Sequence, residues 1–466
     1  MVRRSSILSV PLVWLLLLAG AVCAAPAVAL APSPTGHAVA RLEPVVWSKV
    51  YAPTGGCDVW NCSATGRDGS LYVAGTRNAN AADSEVIVAR YRLSGDRRWL
   101  RRLDLPNHQE AVALVVDSVG NAYVLASTIA ATSGENVLLL KYSSGGTLLW
   151  KAVYSGRGKN ADRGNGLCLD AAGNAYVAGY TWKGSRDFDL LVQKYRPGGT
   201  RAWTYVWDDG ANAMDWAMGV AVDSQKRCYV SGFVRGPAGR SGVVARLTSD
   251  GHLDWQDAPP FSGTGGVECR DIAVRGDTVA VTAIVSDAYG DDVWLATYST
   301  EGARGWIALS NRDEFDNPAA LAFDNDGSVI VCGSTGNAYG DAVPDSRGYI
   351  FEYSPAATPQ VNDTFWSEGD NGDAWFTDLA LSGDGTVYCL GAITTAGDTD
   401  ALLVQYSGAG SRLRSVAIDR APAGGVDRFE SAALGTSSGG AIVLYGVGWT
   451  EDAKGNANAL AVRLTP

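Results

Sequence analysis

Histidine is scarce in this 466-residue chain: His37, His108 and His252 are the only three, and none recurs or sits in a pattern with a nucleophile. Triad hydrolysis and His-ligated metal chemistry therefore lack their central part. Any catalysis would rest on carboxylates, tyrosines or a bound cofactor. The acids do cluster, as Asp187 with Asp189, Asp287 with Asp291 and Asp292, Asp341 with Asp345, Asp398 with Asp400, and Glu451 with Asp452. Paired carboxylates suit calcium or the acid and base of a glycosidase. An Asp beside Gly or Asn equally caps a turn, and the recurrence of Asp189, Asp292 and Asp400, with Asn136 and Asn458, just before one class of strand favours that local role. Asp324-Asn325-Asp326-Gly327 opens like a calcium loop, lacks the downstream Glu, and reads as a turn. No cofactor is predicted, calcium being the one ion these loops would suit.

The elements that must position these groups repeat. Trp47, Trp99, Trp150, Trp203, Trp255 and Trp306 arrive at intervals of about 52 residues, and Trp366 follows after about 60. The clearest copy runs from Gly164 to Val206. Gly166-Leu167-Cys168-Leu169-Asp170 and Ala175-Tyr176-Val177-Ala178-Gly179 flank a turn; Asp189 to Tyr195 follows, and Arg196-Pro197-Gly198-Gly199 turns the chain into Ala202-Trp203-Thr204-Tyr205-Val206. Four short strands joined by tight turns make one blade of a β-propeller. The second strand recurs with Tyr72, Tyr123, Tyr176, Tyr229, Tyr388 and Tyr445, and less regularly around Ala280 and Ile330, which makes eight copies.

The eighth copy ends at Leu464 without a fourth strand, while Val45-Val46-Trp47-Ser48-Lys49-Val50-Tyr51 resembles one and precedes any complete copy. Pairing the two closes the ring and removes both sheet edges. The fold class predicted is all-β, an eight-bladed β-propeller of four-stranded blades closed by an N-terminal strand, with seven blades the alternative. Residues 45–466 form this one domain. Residues 1–24, with Arg3 and Arg4 ahead of an apolar run and Val22-Cys23-Ala24 as a small-residue site, read as a signal peptide, and residues 25–44 as a flexible lead-in.

Export sets the partners. The net charge of −11 includes no basic run, so nucleic acid and anionic membranes are poor partners, and the mature chain is expected to have no membrane span and to be a secreted monomer. Cys57 and Cys62 share a loop and either pair after export or remain unrelated thiols. Cys168, Cys228, Cys269, Cys332 and Cys389 fall at apolar strand positions and read as small buried hydrophobes.

Aligning the copies at the start of the innermost strand puts Val59, Glu110, Arg163, Trp216, Glu268, Asn317, Trp375 and Phe429 in one register. Such varied chemistry at one ring position is not a repeated packing device. The aromatics could stack on sugar rings while the charged groups hydrogen-bond hydroxyls; alternatively the aromatics wedge between blades.

The strings Gly173-Asn174-Ala175-Tyr176-Val177-Ala178-Gly179 and Asp189-Leu190-Leu191-Val192-Gln193-Lys194-Tyr195, followed by a Gly turn and Trp203, resemble the secreted bacterial β-propeller repeat (SBBP) family over nearly the whole mature chain. That resemblance implies an exported or cell-surface propeller without an established activity. Gly146-Thr147-Leu148-Leu149-Trp150 and Gly199-Thr200-Arg201-Ala202-Trp203 are more distantly similar to quinoprotein-type repeats, although no two Cys here are adjacent as that enzyme's vicinal disulfide would require. The leading expectation is an exported non-catalytic scaffold binding glycan or protein ligands at the loop face. The alternatives are a secreted carbohydrate-active or quinoprotein-like enzyme, and a structural cell-surface component.

Overall fold

The computed structural model describes residues 45–53, 56–79, 81, 83–106, 108–130, 134–156, 161–184, 187–208, 214–236, 239–259, 266–286, 290–310, 316–336, 346–365, 373–395, 398–422 and 424–466. The proposed signal peptide and lead-in, His37, Asp287, Asp341, Asp345 and Trp366 lie outside the described residues. Those described form 32 strands and no helix, and so no helix long and apolar enough to cross a membrane.

Pairing yields six separate four-stranded antiparallel sheets and two more joined by one parallel bridge, Arg240 with Gly266. Equivalent bridges between consecutive units occur at Phe188 with Met214 and Thr399 with Val426. The units span residues 59–103, 109–154, 163–207, 216–257, 266–309, 316–365, 374–418 and, for the last, 427–464 together with Val45–Tyr51. The first strand of each unit packs beside the first strand of the next, from unit 1 to unit 8 and back to unit 1. The chain is a closed β-propeller.

Second and third strands are continuous apolar runs because both their faces meet a neighbouring unit: Leu71–Arg77 and Glu85–Tyr91 are almost wholly buried. The fourth strand has one solvated face, and Leu148–Tyr154 accordingly alternates in exposure. Hydrophobic clusters straddle the interfaces. One joins Tyr72 and Val88 to Leu114 and Val124, and another joins Ala433 and Val447 of unit 8 to Trp60 and Ile87 of unit 1. Each large side chain so buried contributes roughly 1.5–3 kcal/mol, which makes the interfaces the core.

The N-terminal strand closes the ring as expected. Val45–Tyr51 runs antiparallel to the last strand, with Trp47 opposite Arg463 and Tyr51 opposite Ala459. The recurrent Trp residues are only partly core. Each indole Nε1 donates to a carbonyl in the next unit's hairpin: Trp47 to Leu93, Trp99 to Ser144, Trp150 to Pro197, Trp203 to Ser249, Trp255 to Thr300 and Trp306 to Pro355, at 2.8–3.1 Å. For all but Trp306, whose partner hairpin carries Ala357 at positive φ, the ring lies against that hairpin's positive-φ glycine, where a Cβ at Gly199 would come within 2.7 Å of Trp150. The second-strand tyrosines reach across likewise, Tyr72 to Gly120 O, Tyr123 to Gly173 O and Tyr445 to Gly69 O. The periodic aromatics are therefore clamps between units.

Candidate functional site

Every first strand carries a register shift near its start, for example between Trp60 and Cys62, Gly164 and Gly166, and Phe429 and Ser431. Such a bulge re-aims the residues beside it, and it provides a common origin for the ring position. Two residues before the bulged residue stand Val59, Glu110, Arg163, Trp216, Glu268, Asn317, Trp375 and, in unit 8, Arg428. The recurrent second-strand glycine gives an independent check. A Cβ on Gly75, Gly179, Gly232, Gly333, Gly391 or Gly448 would collide with the carbonyl oxygen of Val59, Arg163, Trp216, Asn317, Trp375 or Arg428.

Phe429 is thus one residue out of register. It is fully buried in the cluster between units 7 and 8, its ring against the position a Gly446 Cβ would take. Unit 8 places its ring residue farther from the second-strand Tyr, 445−428 = 17 residues against 72−59 = 13 in unit 1, so the spacing of the other copies does not locate it.

Seven of the eight residues aligned from the sequence therefore share the ring, and contacts link most of them. Arg163 bridges Glu110 and Glu135 at 2.8 Å each. Burial works against its charge, but the two carboxylates outweigh this and hold its pKa above the usual Arg value. Trp216 stacks on Tyr180 at 4.6 Å, with Phe188 edge-on to Tyr180 at 5.3 Å and Phe233 5.6 Å from Trp216. Arg240 lies over Phe233 at 5.3 Å and pairs with Glu268, which Arg270 also meets at 3.0 Å. An unbroken belt of ion pairs and aromatic faces thus runs from unit 2 to unit 5. A second, shorter belt joins Trp375 to Arg428 at 5.7 Å and Arg428 to Glu430 at 2.9 Å. Half-buried Asn317 stands between the two. The indole Nε1 groups of Trp216 and Trp375 find no acceptor among the described residues.

Sequence reasoning missed Tyr180, Phe233 and Trp449. Each is the cross-strand partner of a ring residue and lies one position beyond the recurrent second-strand glycine, a signal that was available. It also missed two acids deeper on the inner strands. Asp378 accepts from Leu379 N at 2.8 Å and from Ala432 N of the next unit at 2.7 Å, and burial pushes its pKa up to about 7. Burial raises Asp271 well above the carboxylate range, with Asp378 adding to the shift.

The remaining acids divide. Asp452 accepts from Lys454 N and Asn456 N within its own turn, and Glu451 accepts from Val426 N. Asn136 and Asn458 donate to nearby carbonyls of their own hairpins. Asp398, Asp400 and Asp419 do converge, with carboxylate oxygens all within 4.8 Å of one another. His108 Nδ1 lies 2.9 Å from Ser84 Oγ, and His252 is exposed beside Asp250. Cys57 and Cys62 are free thiols rather than a disulfide. The Cys62 thiol turns into the interface between units 1 and 2 and donates to Ala74 O, away from the loop that carries Cys57.

No protein-family model and no curated protein matches the chain. Among solved structures it is similar to Sqt1 from Chaetomium thermophilum, at 11% identity and TM-score 0.50, covering 88% of this chain and 97% of that one. It is also similar to a PL25 ulvan lyase, at 10% identity and TM-score 0.47, with 90% and 96% covered. A third likeness is to the β-propeller domain of the trilobed protease from Pyrococcus furiosus, at 8% identity and TM-score 0.42, with 76% and 95% covered. At such identities the likeness speaks to fold alone, and the chain's own strand pairing and unit-to-unit packing make it a β-propeller.

Proposed function

We propose that the protein is an exported, non-catalytic binding scaffold whose ligand surface is the mouth formed by the starts of the inner strands. One observation carries this reading: the partly exposed Trp216, backed by the buried rings of Tyr180 and Phe233, is flanked on both sides by carboxylates already committed to guanidinium partners, Glu110 with Arg163 and Glu268 with Arg240 and Arg270. Carboxylates already occupied by guanidinium groups are not free to reach a reacting oxygen, which disfavours the hydrolase alternative at this register. The same arrangement suits recognition of a glycan, whose apolar ring faces stack on aromatics and whose hydroxyls accept from or donate to fixed ion pairs. The export signal and the secreted repeat family that the sequence resembles support an extracellular ligand. The test is a glycan array probed with the full chain and with a Trp216→Ala, Trp375→Ala double variant. Loss of roughly 2 kcal/mol of affinity or more in the variant is expected, in line with removal of central aromatic anchors. Binding that persists unchanged places the ligand elsewhere.

A further inference from the structure

The outer strand of unit 1, Arg97–Leu103, differs in charge from every other outer strand. Its register is fixed by the clamp Trp, whose place Val361 and Arg414 take in units 6 and 7. The residue before that position is Arg98 in unit 1 and is not a cation in any of the other seven units. The third residue after it is Arg102 in unit 1, and Val, Ala, Leu or Thr in the rest. Arg101, two after Trp99, matches Ala152, Tyr205, Asp257 and Ala308 in units 2 to 5. Arg97 has a different standing. Its guanidinium lies 5.9 Å over Tyr51 of the preceding outer strand, just as that of Arg201 lies 5.1 Å over Tyr154. Arg97 is thus a repeated clamp, an explanation that Arg98, Arg101 and Arg102 lack.

These three are exposed, as are Arg92 in the preceding hairpin and Lys49 on the neighbouring outer strand. Lys49 reaches the same wall, its Cε lying 3.1 Å from where a Cβ on Gly95 of the unit 1 hairpin would stand. Little of this charge is matched. Arg98 makes no hydrogen bond or ion pair among the described residues. Arg101 directs its donors at carbonyls, Gly146 O at 2.7 Å and Leu100 O at 2.8 Å. Arg102 meets Glu85 at 3.1 Å, but Arg77 already holds that carboxylate at 2.8 Å. Residues 92 to 103 contain five Arg and one acid, Asp96, in a chain of net charge −11. The absence of a basic run expected from composition therefore does not hold on this strand.

We propose that the outer wall of unit 1 binds an acidic polysaccharide, whose carboxylates pair with Arg98, Arg101, Arg102 and Lys49. This site is separate from the mouth and its ligand. A strand advances about 3.3 Å per residue, so Arg98 and Arg102 stand roughly 13 Å apart. The cations form a row that meets successive charges along an extended chain, not a pocket for one anion. Each guanidinium can take a carboxylate through two parallel N–H bonds. Trp99 is buried and Leu100 half-buried, so the strand offers no exposed apolar group to enter a bilayer and no ring for a base to stack on.

The test is calorimetric titration of the full chain with polygalacturonate, beside neutral dextran, duplex DNA and phosphatidylglycerol vesicles. The wild type should bind polygalacturonate and not dextran, and should weaken at least about fivefold between about 50 and about 200 mM NaCl. The triple variant Arg98→Ser, Arg101→Ser, Arg102→Ser should lose at least about tenfold in affinity. Arg98→Glu alone, at a side chain that supports no other, should lose at least about threefold while unfolding at the wild-type midpoint. Arg196→Ser, Lys226→Ser, Lys454→Ser, which removes the same charge from exposed positions in units 3, 4 and 8, should bind within about twofold of the wild type. A wild type that ignores polygalacturonate, an Arg98→Glu variant that binds as the wild type does, or a charge-matched control that loses as much as the triple variant would each overturn the site. Tighter binding to DNA or to the vesicles than to polygalacturonate would overturn the choice of ligand.

Discussion

The residues that recur around this ring and those that vary at its mouth answer to different constraints. Trp99, Trp150 and Trp203 perform one identical task, a hydrogen bond and a flat contact on the next unit's hairpin. Glu110, Arg163, Trp216 and Glu268 share one backbone register yet differ in chemistry, and they form a belt only because neighbours happen to complement each other. Repetition marks what the ring geometry demands of every unit. Variation at a fixed backbone position marks where that demand is absent and a ligand can set the choice.

The backbone side of this contrast breaks most severely at the recurrent glycine. Gly179→Val would drive a side chain into the Arg163 carbonyl and Gly164. The expected loss is about 4 kcal/mol or outright failure to fold, because backbone rather than a flexible side chain must yield. Urea unfolding of the purified chain would measure it.

The register assignment in unit 8 is sharpened by two adjacent substitutions. Phe429→Ala removes a fully buried ring and should cost roughly 3–5 kcal/mol while leaving ligand affinity unchanged. Arg428→Ala leaves the buried Glu430 without its charge partner and should also cost roughly 3 kcal/mol of stability, but it alone should weaken binding. Equal effects on ligand affinity would return Phe429 to the ligand surface.

A pH-dependent effect distinguishes the buried acids from the ion-paired ones. Asp378 has a folded-state pKa of about 7, above its value in an unfolded chain. Its protonated form is therefore the one the fold favours. That contribution is complete below about pH 4 and is lost as pH rises through about 7, by up to roughly 4 kcal/mol. Asp378→Asn should flatten the stability profile between about pH 4 and about pH 7 relative to wild type, as read by thermal unfolding across that range (about three pH units). Parallel profiles for the two proteins would show that Asp378 is ionised throughout.

Much of the architecture was legible because clamps must recur. A Trp every 52 residues or so, a Tyr on six of the eight second strands and a Gly in most hairpins reveal the units, and the unpaired segment at Val45–Tyr51 reveals how they close. The site was less legible. Its register depends on a bulge, which is a backbone event with no residue signature, and in unit 8 the ring residue stands 445−428 = 17 residues before its Tyr rather than 13, so the alignment fell on Phe429 instead of Arg428. The partners Tyr180, Phe233 and Arg240 belong to neighbouring strands, so only cross-strand pairing brings them to the ring. Asp271 and Asp378 escaped notice because a single acid in an apolar strand carries no pattern at all.

Everything rests on the closed ring, and amide hydrogen exchange on Val45–Tyr51 tests it most directly. Paired with Ala457–Leu464, its amides should be protected and should exchange together with those of the last strand, at a rate set by opening of unit 8. Exchange of Val45–Tyr51 at the rate of a free peptide, with Ala457–Leu464 still protected, would contradict closure by this strand.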